Sequence, residues 1–228
     1  MMQVETEKQT NKTALIAGMV IFVALFIGCL VIPKGVAQLI NQPISSEQSF
    51  FITRLLFWVC IGLLYLYTAK VERLPLLLWP EQTFNFTTSL KWIVILLIVV
   101  FLGSACINMT IKFLGLGGMS LSSNAAKAML QMGIPLRLFT VLTAAVTEEI
   151  LFRGYLIPRL QLFFKNAYLP AIISSVIFGF AHFRYGTIVN IVAPIYIGLI
   201  FSFYYHKFRN LKVLIIVHFI IDFIAFRE

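Results

Sequence analysis

Charged residues are scarce in this chain: 12% of its 228 residues are Asp, Glu, Lys or Arg, and nine of them are acidic. Soluble domains carry about 25% charged residues, so this composition argues against a soluble protein. Hydrophobic residues make up 60% of the chain, and the mean hydropathy is +0.94. The shortage of charge and the high hydropathy together predict a protein that crosses the membrane several times.

Other absences narrow the function. The cysteines, Cys29, Cys60 and Cys106, lie in apolar stretches without the spacing of a metal site, so we expect them to be packing residues rather than a disulfide set. The chain has neither the His-Glu-x-x-His sequence of soluble zinc proteases nor a nucleophile elbow around Ser174 and Ser175. Its net charge of +9 comes without basic clusters and interleaved aromatics, so we expect no nucleic-acid partner.

Seven apolar stretches are predicted to form membrane-spanning helices, with eight as the alternative count. They are 13–33, 50–69, 92–111, 137–157, 166–183, 185–205 and 213–226. A helix needs about 20 residues to cross about 30 Å of hydrocarbon, and most of these stretches reach that length. The expected fold is therefore an all-α polytopic membrane helix bundle, with 1–228 as a single membrane domain in the cell membrane.

The two halves of the chain differ in their polar content. Residues 1–133 are predicted to contain the N-terminal spans and a short interfacial helix at 122–132, and residues 134–226 to form the core that carries the chemistry. The first three spans hold no acidic residue or histidine, so we interpret them as scaffold, and the Arg54 that interrupts the second receives no chemical role. The distribution of Lys and Arg, with Arg159 counted in a cytoplasmic loop, predicts a cytoplasmic N-terminus.

Two carboxylates and a guanidinium, Glu148, Glu149 and Arg153, lie inside the apolar stretch 137–157. Ionised groups at such depth are costly and usually functional. On a helix Glu149 and Arg153 are four residues apart and can pair, whereas Glu148 is rotated by about 100°. The sequence therefore predicts that Glu148 is a carboxylate without a fixed cation, suited to act as a general base.

Two of the three histidines lie in the later spans, and one further carboxylate accompanies them. His218 and Asp222 are four residues apart, a spacing at which a carboxylate can orient an imidazole on a helix. Because lipid-exposed ionisable groups are unfavourable, Glu148, His182, His218 and Asp222 are predicted to converge inside the bundle. A carboxylate with two imidazoles can activate water, protonate a leaving amine and stabilise an oxyanion, which is the chemistry of a hydrolase.

Three short motifs follow one another through this half of the chain. They are Glu-Glu-x-x-x-Arg at Glu148, Glu149 and Arg153, Phe-x-x-x-His at Phe178 and His182, and His-x-x-x-Asp at His218 and Asp222. In this order on successive apolar helices they resemble the CPBP family, which comprises the CAAX prenyl endopeptidases and the bacteriocin-processing or immunity membrane proteins, also called Abi. The motifs cover about a third of the chain.

The resemblance implies a role for each motif residue. Glu148 would be the water-activating base with His182 as its partner, and His218 with Asp222 would form an oxyanion-stabilising or ligand pair. Family members are commonly described as metalloproteases, so two mechanisms stay open: a zinc ion held by Glu148, His182 and His218, or a metal-free glutamate mechanism. Where this chain has Asp222, eukaryotic CAAX endopeptidases typically have Asn.

The resemblance also assigns Glu149 and Arg153 as a supporting ion pair. The resulting prediction is an intramembrane endopeptidase that hydrolyses a membrane-associated peptide or small protein within the lipid bilayer. One alternative is a self-immunity protein of the same family that protects a cell from a bacteriocin. A more distant alternative is a proton-coupled transporter with Glu148, His182 and Asp222 as its relay, although no inverted repeat or broken helix pair is visible.

Overall fold

The computed structural model describes residues 11–39, 41, 43–116, 129–166, 168–183 and 187–225. Within these residues all regular structure is helical, and seven helical segments follow one another along the chain. The predicted all-α membrane helix bundle is confirmed. The predicted interfacial helix at 122–132 lies mostly outside the described residues.

The segments differ in length and in regularity. They are α1 (Lys12–Leu39), α2 (Ser46–Tyr67, continued by a π-helical turn, Thr68–Glu72), α3 (Phe86–Phe113), α4 (Ile134–Glu149, continued by a π-helical segment, Ile150–Leu156, and a last α-helical turn, Ile157–Gln161), α5 (Tyr168–Phe180), α6 (Val189–Phe208) and α7 (Leu211–Ala225). By length and composition, α1, α2, α3 and α6 can cross a membrane. Helix α4 is comparably long but carries the buried charges described below.

Helix α5 is shorter than the predicted span 166–183. Its 13 residues extend about 20 Å, less than the roughly 30 Å of a hydrocarbon core. The helix ends at Phe180, and His182 bonds two carbonyl groups of its last turn. The backbone N–H of His182 donates to the Gly179 carbonyl, and its Nδ1 lies 2.8 Å from the Phe178 carbonyl oxygen. His182 therefore lies just beyond the helix rather than on its surface.

An aromatic core joins α1, α2 and α5 to the π-helical segment of α4. The Phe152 ring packs edge-on against Phe22 at 5.4 Å between centroids and against Phe178 at 5.1 Å. Phe26 stacks on Phe57 at 5.4 Å. Each such pair stabilises the packing by about 0.5–1.5 kcal/mol beyond its area burial, which fixes the π-helical segment against three neighbouring helices.

Small residues bring α5 and α6 into close contact. A Cβ atom on Gly198 would lie 3.0 Å from the Cβ of Ser175, and the Ser175 and Ser202 hydroxyl oxygens are 3.2 Å apart. Small side chains let membrane helices approach closely, and hydroxyl groups can then bond across the interface. This contact holds Phe178 and Phe201 beside the same part of α7.

The connection between α2 and α3 fixes the start of α7. Glu81 accepts hydrogen bonds from the Tyr205 hydroxyl at 2.8 Å and from the Leu211 N–H at 2.7 Å. Asn210 caps α7 by accepting from the Val213 N–H at 3.0 Å, and its own amide donates to the Gln82 carbonyl. A carboxylate at a helix N-terminus is also favoured by the helix dipole. These bonds fix the position of α7 along the bundle, and with it the positions of the residues on α7.

A buried ion pair joins the end of α2 to the end of α4. The Arg159 guanidinium donates to Glu72 at 2.7 and 2.9 Å and stacks over the Tyr155 ring at 3.9 Å. Arg159 is fully buried and lies on the last helical turn of α4, so its predicted place in a loop is wrong. The physical reason is that α4 continues to Gln161, which keeps Arg159 inside the bundle, where it pairs with Glu72.

Candidate active site

The two carboxylates of the first motif lie where α4 changes its helical form. Glu148 and Glu149 are the last α-helical residues, and the π-helical segment that follows carries Arg153. Single π-helical turns inside α-helices are rare and frequent at functional sites. Nothing in the sequence pattern pointed to the π-helical geometry.

Arg153, Glu149 and His218 form a buried chain of polar contacts. One oxygen of Glu149, Oε1, accepts from Arg153 Nη1 at 2.9 Å and lies 2.8 Å from His218 Nδ1. The side chains of Glu149 and Arg153 are fully buried. Because an ionised carboxylate only accepts hydrogen bonds, Nδ1 of His218 donates and Nε2 is turned to the other side of the ring. Glu149 thus fixes the orientation of His218, a task that the sequence suggested for Asp222.

Glu148 lies between a guanidinium and an imidazole. Its Oε1 is 3.8 Å from Arg54 Nη1, and its Oε2 is 3.9 Å from His218 Nε2. Both separations exceed hydrogen-bond distance, and within the described part of the chain the Glu148 carboxylate accepts no hydrogen bond. An oxygen atom at hydrogen-bond distance from both Glu148 Oε2 and His218 Nε2 would lie beside the line that joins them, because 3.9 Å leaves no room for an atom between them.

The prediction that Glu148 lacks a fixed cation is wrong. Helix α2 packs against α4 and buries one side, which comprises Arg54, Phe57, Cys60 and Leu64. Arg54 is 9% exposed and faces Glu148 from this side. The interpretation of the second span as scaffold without chemistry overlooked this residue. The sequence did contain an indication of a functional role for Arg54, because it is the one ionised residue inside the three predicted N-terminal spans.

Asp222 and His182 lie at the outer side of this cluster. Asp222 Oδ2 is 3.6 Å from His218 Nε2, and its side chain is 25% exposed, compared with 10% for Glu148. Asp222 also interacts electrostatically with His182, whose ring packs 4.8 Å from that of Phe178. The ion-pair contacts of Glu148 among the described residues are with Arg54 and His218, and the interaction of His182 with the cluster is through Asp222.

The site carries nearly balanced charge. Its three carboxylates are those of Glu148, Glu149 and Asp222. They face the guanidinium groups of Arg54 and Arg153 and the imidazole of His218. Uncompensated charge is strongly disfavoured in a low-dielectric interior. One proton on the cluster brings its formal charge to zero, so the arrangement can hold and pass on a proton.

The donor set does not fit the metal site that the sequence left open. Among the described residues, no group of three or more His, Cys, Asp and Glu side chains is arranged to hold a metal ion. The positive charge of Arg54 lies 3.8 Å from Glu148. A guanidinium beside the same carboxylate disfavours a dication there.

The comparison with known families covers the second half of the chain. Residues 130–224 match the family model of the Rce1-like type II CAAX prenyl endopeptidases. No curated protein and no solved structure gives a significant match to the chain. The matched range contains the residues of all three motifs and excludes Arg54. The resemblance seen in the sequence is confirmed for residues 130–224, which match the Rce1-like model of the CPBP, or CAAX protease, family.

Proposed function

We propose that this protein is an intramembrane endopeptidase in which Glu148 activates the attacking water. The observation that carries the proposal is the environment of Glu148. Its carboxylate is 10% exposed, accepts no hydrogen bond from the described residues, and lies 3.9 Å from His218 Nε2. A general base must lie within hydrogen-bond reach of the proton that it takes, and the unused acceptor capacity of the Glu148 carboxylate lets a water bind beside it and His218 Nε2.

The reaction follows from this placement. Glu148 accepts one proton from the water, and the water oxygen forms a bond to the carbonyl carbon of the substrate. The electron pair of the carbonyl bond moves to its oxygen, giving an oxyanion. When the carbonyl bond re-forms, the carbon–nitrogen bond breaks, and Glu148 gives its proton to the leaving amine. The products are a peptide with a new carboxyl terminus and a peptide with a new amino terminus.

The other predicted residues support this step. Glu149 and Arg153 hold His218 so that Nε2 faces Glu148, where it orients the water. Asp222 is the more exposed carboxylate of the cluster and lies beside the same Nε2 at 3.6 Å. We assign His182, next to Asp222 in the electrostatic network, to proton exchange at the outer side of the site.

A membrane-associated peptide is the proposed substrate. A folded helix hides its carbonyl groups in its own hydrogen bonds, so the cleaved segment must be extended or locally unwound. An apolar groove with a volume of about 700 Å³ runs between α1 and α5 and reaches Ala181 and Phe183, the neighbours of His182. Such a groove supports a substrate that arrives from the lipid.

The test is a comparison of membrane peptides from cells that contain the wild type, Glu148→Gln or Glu47→Gln. Glu47 is the matched control, because it is an exposed glutamate in the first turn of α2. Loss of general-base catalysis should lower cleavage by roughly 10²- to 10⁴-fold in Glu148→Gln, so uncut precursors should accumulate in that strain alone. The amount of each protein on membrane immunoblots serves to normalise the comparison.

Two outcomes would contradict the proposal. Full cleavage by Glu148→Gln would show that Glu148 is not the general base. Identical peptides in all strains, together with Glu148-independent resistance to a toxic membrane peptide, would instead indicate the immunity function.

A further inference from the structure

Arg54 differs from the other buried arginines of the bundle in its hydrogen bonding. Arg153 donates to Glu149 and to the Gly198 carbonyl, and Arg159 donates five hydrogen bonds. Arg54 is 9% exposed, yet its guanidinium donates no hydrogen bond to any described residue, and its Nε is buried without a partner. Its contacts are the Glu148 carboxylate at 3.8 Å and the Phe57 ring at 5.4 Å.

A guanidinium in this state does not contribute much to folding. Its Nε–H is buried without an acceptor, which is unfavourable, and its Nη groups donate no hydrogen bond to a described residue. Native proteins leave such groups unsatisfied mainly where a ligand supplies the missing acceptor. The acceptor must also come close to Glu148, because the guanidinium is adjacent to that carboxylate.

We propose that Arg54 is a catalytic residue that stabilises the oxyanion formed when water attacks the scissile carbonyl. The inference rests on the function proposed above and adds a residue from outside the family match at 130–224. It also gives the N-terminal half of the bundle a direct part in the reaction.

The movement of charge during the reaction supports this role. Before attack, the negative charge near Arg54 is on Glu148. When Glu148 takes the proton of the water, its charge disappears, and a negative charge forms on the former carbonyl oxygen. Arg54 is then beside a neutral acid and can donate its unused hydrogen bonds to that oxygen. Interactions that strengthen in the transition state accelerate the chemical step.

The other cations of the site are less suited to this task. Arg153 is fully buried and bonded to Glu149, and Arg159 is bonded to Glu72. His218 was the candidate from the sequence, but its Nδ1 is bonded to Glu149 and its Nε2 faces Glu148 and Asp222. Two carboxylates around Nε2 are an unfavourable environment for a third negative charge.

The experiment compares Arg54→Met and Arg54→Lys with the wild type in steady-state kinetics. The substrate is an internally quenched peptide with an N-terminal palmitoyl chain, selected from a mixed-sequence library as the peptide that the wild type cleaves fastest. Removing one oxyanion donor lowers kcat by about 10²- to 10³-fold in known cases, so we expect that loss in Arg54→Met with KM changed by less than about threefold. Arg54→Lys retains the charge and should recover part of kcat.

Thermal unfolding separates this role from a structural one. Arg54 has one ion-pair contact, at 3.8 Å, and donates no hydrogen bond to a described residue, so Arg54→Met should lower the melting temperature by less than Arg159→Met does. Arg159→Met removes a fully bonded guanidinium and should lower the melting temperature. Arg73→Met, at an exposed arginine, is the control that should change neither property.

A transition-state analogue gives an independent measurement. A phosphonate at the position of the scissile amide carries the oxyanion charge, so Arg54→Met should weaken its inhibition by the factor lost in kcat/KM. Binding of the uncut peptide to Glu148→Gln should be the same with and without Arg54→Met. An increase in KM alone, an unchanged kcat, or a loss of melting temperature like that of Arg159→Met would each overturn the role of Arg54. If Glu148→Gln also cleaves fully, the proposed endopeptidase mechanism itself fails.

Discussion

Replacing Arg159 by methionine should destabilise the bundle severely without touching the catalytic cluster. Arg159 has a fully buried side chain that donates to both the Glu72 carboxylate and the backbone carbonyls of Pro75, Leu76 and Tyr155. Methionine fills a similar length but has no donor. The substitution therefore leaves Glu72, which is 7% exposed, as a buried carboxylate without its cation.

The expected cost follows from the loss of one partner of a buried pair. Breaking such a pair from one side typically costs 3–5 kcal/mol, because the remaining charge stays desolvated. At about 1.4 kcal/mol per factor of ten, the ratio of folded to unfolded protein should fall roughly 10²- to 10⁴-fold. For a chain of this size about 2–4 °C of melting temperature corresponds to 1 kcal/mol, so the melting temperature should fall by about 6–20 °C.

The assay is thermal unfolding of the purified protein in detergent for four proteins: the wild type, Arg159→Met, Glu72→Gln and the double variant. If the pair is buried as the structure has it, the double variant should lose less stability than the sum of the two single variants, by about 0.5–3 kcal/mol. Arg73→Met serves as the exposed control. A melting temperature for Arg159→Met within about 2 °C of the wild type would refute this reasoning, since each 1 kcal/mol shifts the midpoint by at least that much.

Two further predictions concern the site. Arg153→Met should lower the abundance of the protein and its activity together. Glu149 then becomes an unpaired buried charge that no longer holds His218 firmly, at a cost of about 3–5 kcal/mol in unfolding free energy. Normal abundance of the variant on membrane immunoblots would contradict this prediction. Chelation with phenanthroline should leave the cleavage rate unchanged, and metal analysis of the purified protein should find well below one equivalent of zinc. A stoichiometric zinc ion that is lost together with activity would overturn the metal-free interpretation.

The order of apolar stretches and the placement of ionisable residues could be predicted from the sequence because both depend on local pattern. Hydropathy defines where helices lie, and the spacing of Glu149 and Arg153 determines which side chains share a helix face. Charges that cannot face lipid must turn inward, and this argument brings Glu148, His218 and Asp222 to one place. None of these steps requires knowledge of which helices are neighbours.

The other features of the fold and of the site depend on contacts between residues that are distant in the sequence. Arg54 meets Glu148 because α2 packs on α4, and Glu72 meets Arg159 because α4 continues beyond its predicted end. The His182 ring lies beyond the end of α5 and contacts the Phe178 carbonyl oxygen at 2.8 Å. Likewise, Glu149 rather than Asp222 bonds Nδ1 of His218 because α7 crosses the end of α4 at that level. A periodic pattern contains no information on such pairings.

Peptide cleavage in water enriched in oxygen-18 tests the central claim most directly. The purified wild type, Glu148→Gln and Glu47→Gln are each incubated with the palmitoylated quenched peptide, and the products are analysed by mass spectrometry. If Glu148 activates water, the wild type and Glu47→Gln should release a fragment with one heavy oxygen atom in its new terminal carboxylate, and Glu148→Gln should release none above background. Cleavage by Glu148→Gln at the rate of the wild type would contradict the account.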